Sequence, residues 1–358
     1  MKVGVLSMQQ IVNYGSFLQA RALRSIIERL GHEVEFIDIV PGEQLPQYRL
    51  DRFHKLRLLL KRIMVRKPYQ QLKYTYRLHK RFKTEFLREL GINLPNAKDH
   101  FDVVVIGSDE VFNIAQKTWF GFSPQLFGAE LNTDKVITYA ACFGATTIDI
   151  IGELGLQDRL SGLLKNISAI SVRDQNSKDI ITELTESIPF LHVDPVLAYD
   201  FKDEIKQIES REPYMLIYTY PGRMNDENEI KSIRAYANKN GLRIISNANY
   251  FDWVDEIITP HPFEVLSYFI NADCVVTDTF HGSVMSIKFN KRFLTIVRNS
   301  NRNKLSGLLS QFKLNDRIVS DMSEFEDKME ADINYSIVNE IISHEQLNTI
   351  SYLRENLV

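Results

Sequence analysis

Cysteine is nearly missing from this chain. Cys142 and Cys274 are the only two in 358 residues, each in an apolar run, so a disulfide framework is excluded and packing roles are expected. No apolar run reaches the length of about eighteen residues that a membrane-spanning helix needs. The opening MKVGVLSM is too short an apolar run for a signal-peptide core and is interrupted by Ser7 and Gln9. A cytoplasmic protein is therefore expected. Glycine is sparse where a dinucleotide would require it: Gly15 stands alone in QQIVNYGS, whereas the fingerprint needs three spaced glycines. NAD and FAD are not expected. The eight histidines lack metal-ligand spacing, and no Asp-x-Asp occurs of the kind many sugar-nucleotide transferases use for a divalent ion. The expectation is no metal and no cofactor. Internal repeats and low-complexity tracts are absent too.

What is present reads as an ordinary globular protein, with 44% hydrophobic and 25% charged residues, long enough for two domains. The net charge of −3 conceals an asymmetry. Between Arg49 and Arg88 there are fourteen Lys or Arg and two acidic residues, so the remainder is acidic. This segment reads as two basic amphipathic helices, Leu50 to Lys67 and about Gln71 to Leu90, with Pro68 ending the first. Such a hairpin suits an anionic membrane surface or a phosphorylated lipid carrier, and equally a solvated insertion with a partly buried stripe. Nucleic acid is not an expected partner, because the basic segment is confined to one insertion without a binding motif.

In chain order, Val3 to Ser7 reads as a strand, Phe17 to Leu30 as a helix closed by Gly31, and Glu33 to Val40 as a strand. Further strands are expected at Phe101 to Ile106, Lys135 to Phe143 and Ile167 to Val172. The loops around Asn13, Asp109, Phe143 and Arg173 then share one sheet edge, where open parallel sheets bind ligands. A polar linker at Asp200 to Glu212 precedes a second αβ series. It contains strands at Tyr214 to Tyr220 and Arg243 to Ser246, a helix opened by an Asp226 and Glu229 capping box, and a helix from Pro262 to Asn271. The last helix, about 334 to 357, is expected to return to the first domain.

The most informative stretch is Ile270 to Val297. Cys274 to Thr277 and Phe293 to Val297 have the apolar, β-branched character of buried parallel strands. Between them TDTFHGS forms a polar turn opening a helix. His281 at that point suits acid or base chemistry near neutral pH, with the following amides left for a phosphate or carboxylate. The same pattern also suits a histidine packed in a tight turn.

NYGSFLQARAL, VVVIGSDEVFN, YAACFGA, ISVRDQNS, VDPVL and NADCVVTDTFHGSVMSIKFNKRF, in that order and spacing, resemble the polysaccharide pyruvyl transferase family over nearly the whole chain. The resemblance implies an α/β fold of two Rossmann-like domains facing across a cleft, GT-B-like, with the basic helical insertion in the first domain. Residues 1–200, joined by the helix at about 334–357, would form the acceptor-side domain, and 201–333 the phosphoenolpyruvate-side domain. The activity implied is transfer of the enolpyruvyl group of phosphoenolpyruvate to a sugar of a cell-surface polysaccharide or its precursor, leaving a pyruvate ketal and free phosphate.

By that resemblance His281 is the acid that protonates the donor's methylene carbon, and Asp109 orients the attacking hydroxyl. Arg173 is the principal cation for the donor's phosphate and carboxylate. Arg298, Arg302 and Lys304 are further cation candidates, and the amides of Gly282 and Ser283 complete the cradle. Asn13, Tyr14, Gln19 and Ser108 are candidates for substrate binding, although Tyr14 also suits packing and Asp109 a turn bonded to its own backbone. Two other functions fit: a GT-B glycosyltransferase using a nucleotide sugar, and a non-catalytic subunit docking on a membrane through the basic hairpin.

Overall fold

Strands covered by helices on both faces must be apolar on both sides, and the continuous apolar runs of this chain become such strands. A computed structural model describes residues 1–45, 68–92, 96–115, 118–209, 212–247, 249–298 and 301–358. The expected helix from Leu50 to Lys67 lies outside these residues.

The first domain begins with β1 (Lys2–Leu6), helix α1 (Tyr14–Arg29) and β2 (Glu33–Phe36). A helical arm follows, α2 (Pro68–Arg81) continued by a π-helical turn at Phe82–Phe86. Then come β3 (Phe101–Asp109), β4 (Thr133–Ala141), β5 (Ser171–Val172), α3 (Gln175–Thr185) and β6 (Phe190–Leu191). The second domain contains β7 (Tyr214–Tyr218), α4 (Glu227–Lys239), β8 (Arg243–Asn247), β9 (Glu256–Ile258) and α5 (Pro262–Asn271). It continues with β10 (Cys274–Thr277), α6 (Phe280–Lys288), β11 (Arg292–Ile296), α7 (Arg302–Gln311) and β12 (Ile318–Val319). Helix α8 (Tyr335–Asn356) ends the chain.

The strands form two six-stranded sheets, in the orders β2-β1-β3-β4-β5-β6 and β12-β11-β10-β7-β8-β9, and every strand pair in both is parallel. The protein is thus an α/β molecule of two Rossmann-like units. In each sheet the strand order reverses once, between β1 and β3 and between β7 and β10. Loops leaving neighbouring strands diverge at such a point and leave a crevice.

Helix α8 ties the units together. Tyr335 at its start donates to the Lys291 carbonyl, while Tyr352 near its end donates to the Thr138 carbonyl at 2.7 Å and Thr349 meets Tyr139 at 2.9 Å. The apolar core likewise runs across the seam, with the Phe17 ring of α1 edge-on to Phe263 of α5.

Several local expectations are revised. β2 stops at Phe36, and only Ser171–Val172 of the run from Ile167 pairs as strand. Short edge strands β6, β9 and β12 have too few residues to show periodicity. Asp226 caps α4 through the Asn228 and Glu229 amides, but Glu229 does not reach back, because Arg298 holds its carboxylate through two hydrogen bonds. The reciprocal capping box occurs instead at His261 and Glu264.

Candidate active site

The two sheet reversals face one another. From the first domain come the loop after β1 and the end of β3, and from the second the loops after β7 and β10. Asn13 caps α1 by accepting from the Gly15 amide at 2.7 Å. This fixes the first turn of α1 against the opposite domain, and Gly15 is the residue that makes the approach feasible. A Cβ there would lie 2.3 Å from Cγ and Nδ1 of His281. The lone glycine that ruled out a dinucleotide fingerprint is thus the seat of the facing imidazole.

His281 is in the first turn of α6, whose N-cap Thr279 accepts from the Gly282 amide at 3.0 Å. Gly282 is also sterically required, since a Cβ would stand 2.1 Å from Thr277 Oγ1. The imidazole is 3% exposed, and its Nε2 lies 3.4 Å from Asp194 Oδ2, a contact that is an ion pair when the ring is protonated. Asp194 caps the following turn through the Val196 amide, with Pro195 in the first helical position. Burial alone would raise its carboxyl, but His281 and Arg173 beside it hold it at about 2.

Arg173 joins the first-domain carboxylates. Its Nη1 donates to Asp194 at 2.7 Å, and Nη2 reaches Asp109 Oδ1 at 3.4 Å and the Cys142 sulfur at 3.1 Å. The guanidinium carbon lies 4.1 Å from the centre of the Phe280 ring in the second domain. Ser16 donates to the other oxygen of Asp109 at 2.9 Å. Two buried nitrogens in this cluster, Arg173 Nε and His281 Nε2, have no hydrogen-bond partner among the described residues. Buried polar nitrogens without partners are uncommon and mark a place where a further acceptor would be well received.

Beside the cluster is a pocket of about 290 Å³ lined by residues of both domains, among them Asn13, Asp109, Glu110, Tyr220, Arg223 and Lys304. Lys304 reaches across it to Glu110, and Asn13 donates to Tyr220 at 3.2 Å. Burial would push the Glu110 carboxyl up, yet Lys304 and Asn113 outweigh it and hold it at about 2. An acidic first-domain wall therefore faces a basic second-domain wall.

The family model for polysaccharide pyruvyl transferase matches residues 13–301, which include every residue of this cluster and pocket wall named above except Lys304. The chain belongs to that family. It is accordingly a transferase enzyme, and its family acts on polysaccharide. No curated protein matches its sequence. Among solved structures it resembles the glycotransferase of kitacinnamycin, with a TM-score of 0.53 at 8% identity over 100% of this chain and 99% of that one. It is also similar to the UDP-GlcNAc 2-epimerase of Methanocaldococcus jannaschii, at 13% identity and a TM-score of 0.49 over 96% of this chain and 99% of that one. The likeness to the glycotransferase is one of fold, the GT-B arrangement.

Set against the sequence candidates, the fold of this pyruvyl transferase family member brings His281, Asp109 and Arg173 into one connected cluster and puts Asn13 and Lys304 on the neighbouring pocket. Others are placed elsewhere. The Gly282 amide is taken by Thr279 Oγ1, and the Ser283 amide bonds the Thr279 carbonyl at 3.2 Å within the helix, so neither is left for an anion. Tyr14 is buried against Phe82 and donates to the Pro260 carbonyl at 2.9 Å. Gln19, fully buried, bonds Ser7 at 2.8 Å, and buried Ser108 donates to the Ala140 carbonyl at 3.1 Å. Gln19 and Ser108 fasten the interior of the first domain, and Tyr14 fastens it to the second. Arg298 is committed to Glu229 and to Asp278, and with exposed Arg302 it lines a separate hollow of about 850 Å³. Asp194, Glu110, Tyr220 and Arg223 had drawn no role from the sequence. Of these only Asp194 carried a signal, since Asp-Pro before an apolar run is a helix-start signature.

Proposed function

We propose that the protein transfers the enolpyruvyl group of phosphoenolpyruvate to two hydroxyls of one sugar in a cell-surface polysaccharide or its precursor, forming a pyruvate ketal and releasing phosphate. The supporting observation is the seam where His281 of one domain meets Asp194, Arg173 and Asp109 of the other. The reaction needs an acid, a base and an anion clamp within one substrate's reach, and these side chains supply all three.

In this reading His281 delivers a proton to the donor's methylene carbon, which becomes a methyl group, and the adjacent carbon takes on cation-like character. A sugar hydroxyl attacks that carbon and gives its proton to Asp109. The bond from the same carbon to the phosphate oxygen breaks, and phosphate leaves with the electron pair. The second hydroxyl then closes the ketal, its proton leaving with the phosphate. Arg173 clamps the donor's carboxylate or phosphate, and Lys304 offers a second cation. Asp194 orients the imidazole and gives a proton on it a counter-charge. Since the seam is closed over His281, the domains must part for the donor to enter and close again behind it. The donor's anionic groups would then meet the cations now engaged by Asp109, Asp194 and Glu110.

The test is to incubate the purified chain with a glycan acceptor and either phosphoenolpyruvate or a set of nucleotide sugars. Inorganic phosphate should appear only with phosphoenolpyruvate and should match the acceptor modified. A chelator should leave this release intact, because Arg173 and Lys304 serve the leaving phosphate. His281→Gln should lower the rate on the order of 10²- to 10⁴-fold. Nucleoside diphosphate release in place of phosphate would overturn the proposal in favour of glycosyl transfer.

A further inference from the structure

The arm from Pro68 to Ile92 carries two carboxylates, and both turn away from its outer face. Glu85 pairs with Arg81 at 3.1 Å, and Glu89 with His261 of the second domain at 2.9 Å. Tyr69, Lys73, Tyr76, Lys80 and Lys83 recur at steps of four and three, and Leu72 lies three from Tyr69 and four from Tyr76, which puts all six on one stripe of the helix. The apolar members are strongly exposed, Tyr69 at 77%, Leu72 at 50% and Tyr76 at 67%. Among the described residues no carboxylate pairs with Lys73, Lys80, Lys83 or the neighbouring Arg88. The opposite side is anchored by Phe82 and Phe86, buried against Tyr14, and by Arg81 bonded to the Thr259 carbonyl. The stripe is therefore fixed facing outward.

It continues toward the cleft. Tyr76, Lys80 and Lys83 line a shallow hollow of about 350 Å³, and Lys83 also lines a second of about 370 Å³ together with Arg88, Trp119 and Gln10. Trp119 is 53% exposed, and Gln10 belongs to the loop after β1 whose Ile11 and Asn13 line the cleft pocket. A band of cations with Tyr and Trp at its margins thus runs from the arm to the rim of the cleft.

We propose that this band docks the protein on an anionic lipid surface. Tyr69, Tyr76 and Trp119 would sit at headgroup level, the lysines on lipid phosphates, and the cleft loop beside the membrane plane. Charge complementarity selects this occupant. The arm from Pro68 to Ile92 holds six of the 43 Lys and Arg and two of the 46 Asp and Glu, so the rest of the chain is acidic and is repelled by the surface that attracts the arm. The inference extends the reading of a glycan-modifying transferase to an acceptor held at the membrane. Its test reads lipid binding alone, so its failure leaves the reaction untouched.

The full chain is mixed with vesicles of phosphatidylcholine or of phosphatidylcholine with phosphatidylglycerol and sedimented. Binding is expected only with the anionic vesicles and should weaken with salt. In a Trp253→Phe background, which leaves Trp119 as the remaining tryptophan, emission should shift to the blue on binding. Lys80→Glu with Lys83→Glu should weaken binding at least roughly tenfold. Leu72→Ser with Tyr76→Ser should weaken it while the unfolding temperature stays unchanged, because both side chains are solvent-exposed. Equal binding to neutral vesicles, no binding to either, an unmoved emission maximum, or indifference to both double variants would overturn the proposal. A protein partner on this face would appear as no vesicle binding at all.

Discussion

Gly15 shows how one missing methyl group sets the geometry of the seam. A side chain there would press on the His281 ring at 2.3 Å, so either α1 or α6 would have to give. Gly15→Ala is expected to leave the fold of each domain intact and to lower phosphate release on the order of 10²-fold, the cost of displacing a reacting group by about 1 Å. A steady-state rate with an unfolding curve separates the two effects. Asp194 has the complementary role as the buried charge between Arg173 and His281. Its pKa and that of Glu110 are depressed in the folded protein, so both contribute stability that is complete above the ordinary carboxylate range. That contribution is lost as pH falls from about 4 toward about 2. Asp194→Asn should flatten this acid limb and destabilise the protein by about 3–5 kcal/mol, because it leaves Arg173 as a buried charge with its closest partner gone. Acid unfolding of the two proteins by circular dichroism checks both parts.

At the scale of elements, the helical arm is a tie between domains as much as an insertion. Phe82 and Phe86 bury their rings against Tyr14 of α1, and Phe86 also meets the His261 ring at the start of α5. Phe86→Ala should cost about 3–5 kcal/mol, as expected for an emptied core aromatic. It should also release the arm from the second domain, increasing amide exchange in α2 and around Thr259. Helix α8 ties the domains from the opposite side by bonding a second-domain carbonyl at one end and first-domain carbonyls at the other. Two such straps leave the cleft to open by a limited hinge about the straps.

Over the whole molecule, the seam is held by charged and polar groups contributed by the two domains. Lys304 with Glu110 and His281 with Asp194 bridge the cleft, alongside the cation–π contact of Arg173 with Phe280. In the proposed reaction, donor entry breaks these contacts, and the anionic groups of phosphoenolpyruvate replace the carboxylates. Lys304→Ala is expected to shift the molecule toward open forms and raise the KM for phosphoenolpyruvate with a smaller effect on kcat. Small-angle scattering should then show a larger radius of gyration at low salt, with the difference from the unaltered protein shrinking as salt screens the contacts.

Much of this was legible in residue order. β10 and α5 appear at the residues their apolar patterns indicate, because a buried parallel strand and a helix opened by Pro262 are specified locally. His281, Asp109 and Arg173 could be picked out because each stands at a strand end or helix start, where backbone geometry exposes a side chain. Burial could not be read in the same way. Tyr14 and Gln19 stand in α1 close behind Asn13, and Ser108 stands in β3 beside Asp109, and only packing across the fold turns these three inward. The Gly282 and Ser283 amides both bond Thr279, one its hydroxyl and the other its carbonyl. Arg298 looked available until Glu229, sixty-nine positions away, claimed it. The pairing of His281 with Asp194 is of the same kind. Contacts between distant residues depend on how two sheets and two straps set one domain against the other, and local propensity carries no record of that distance.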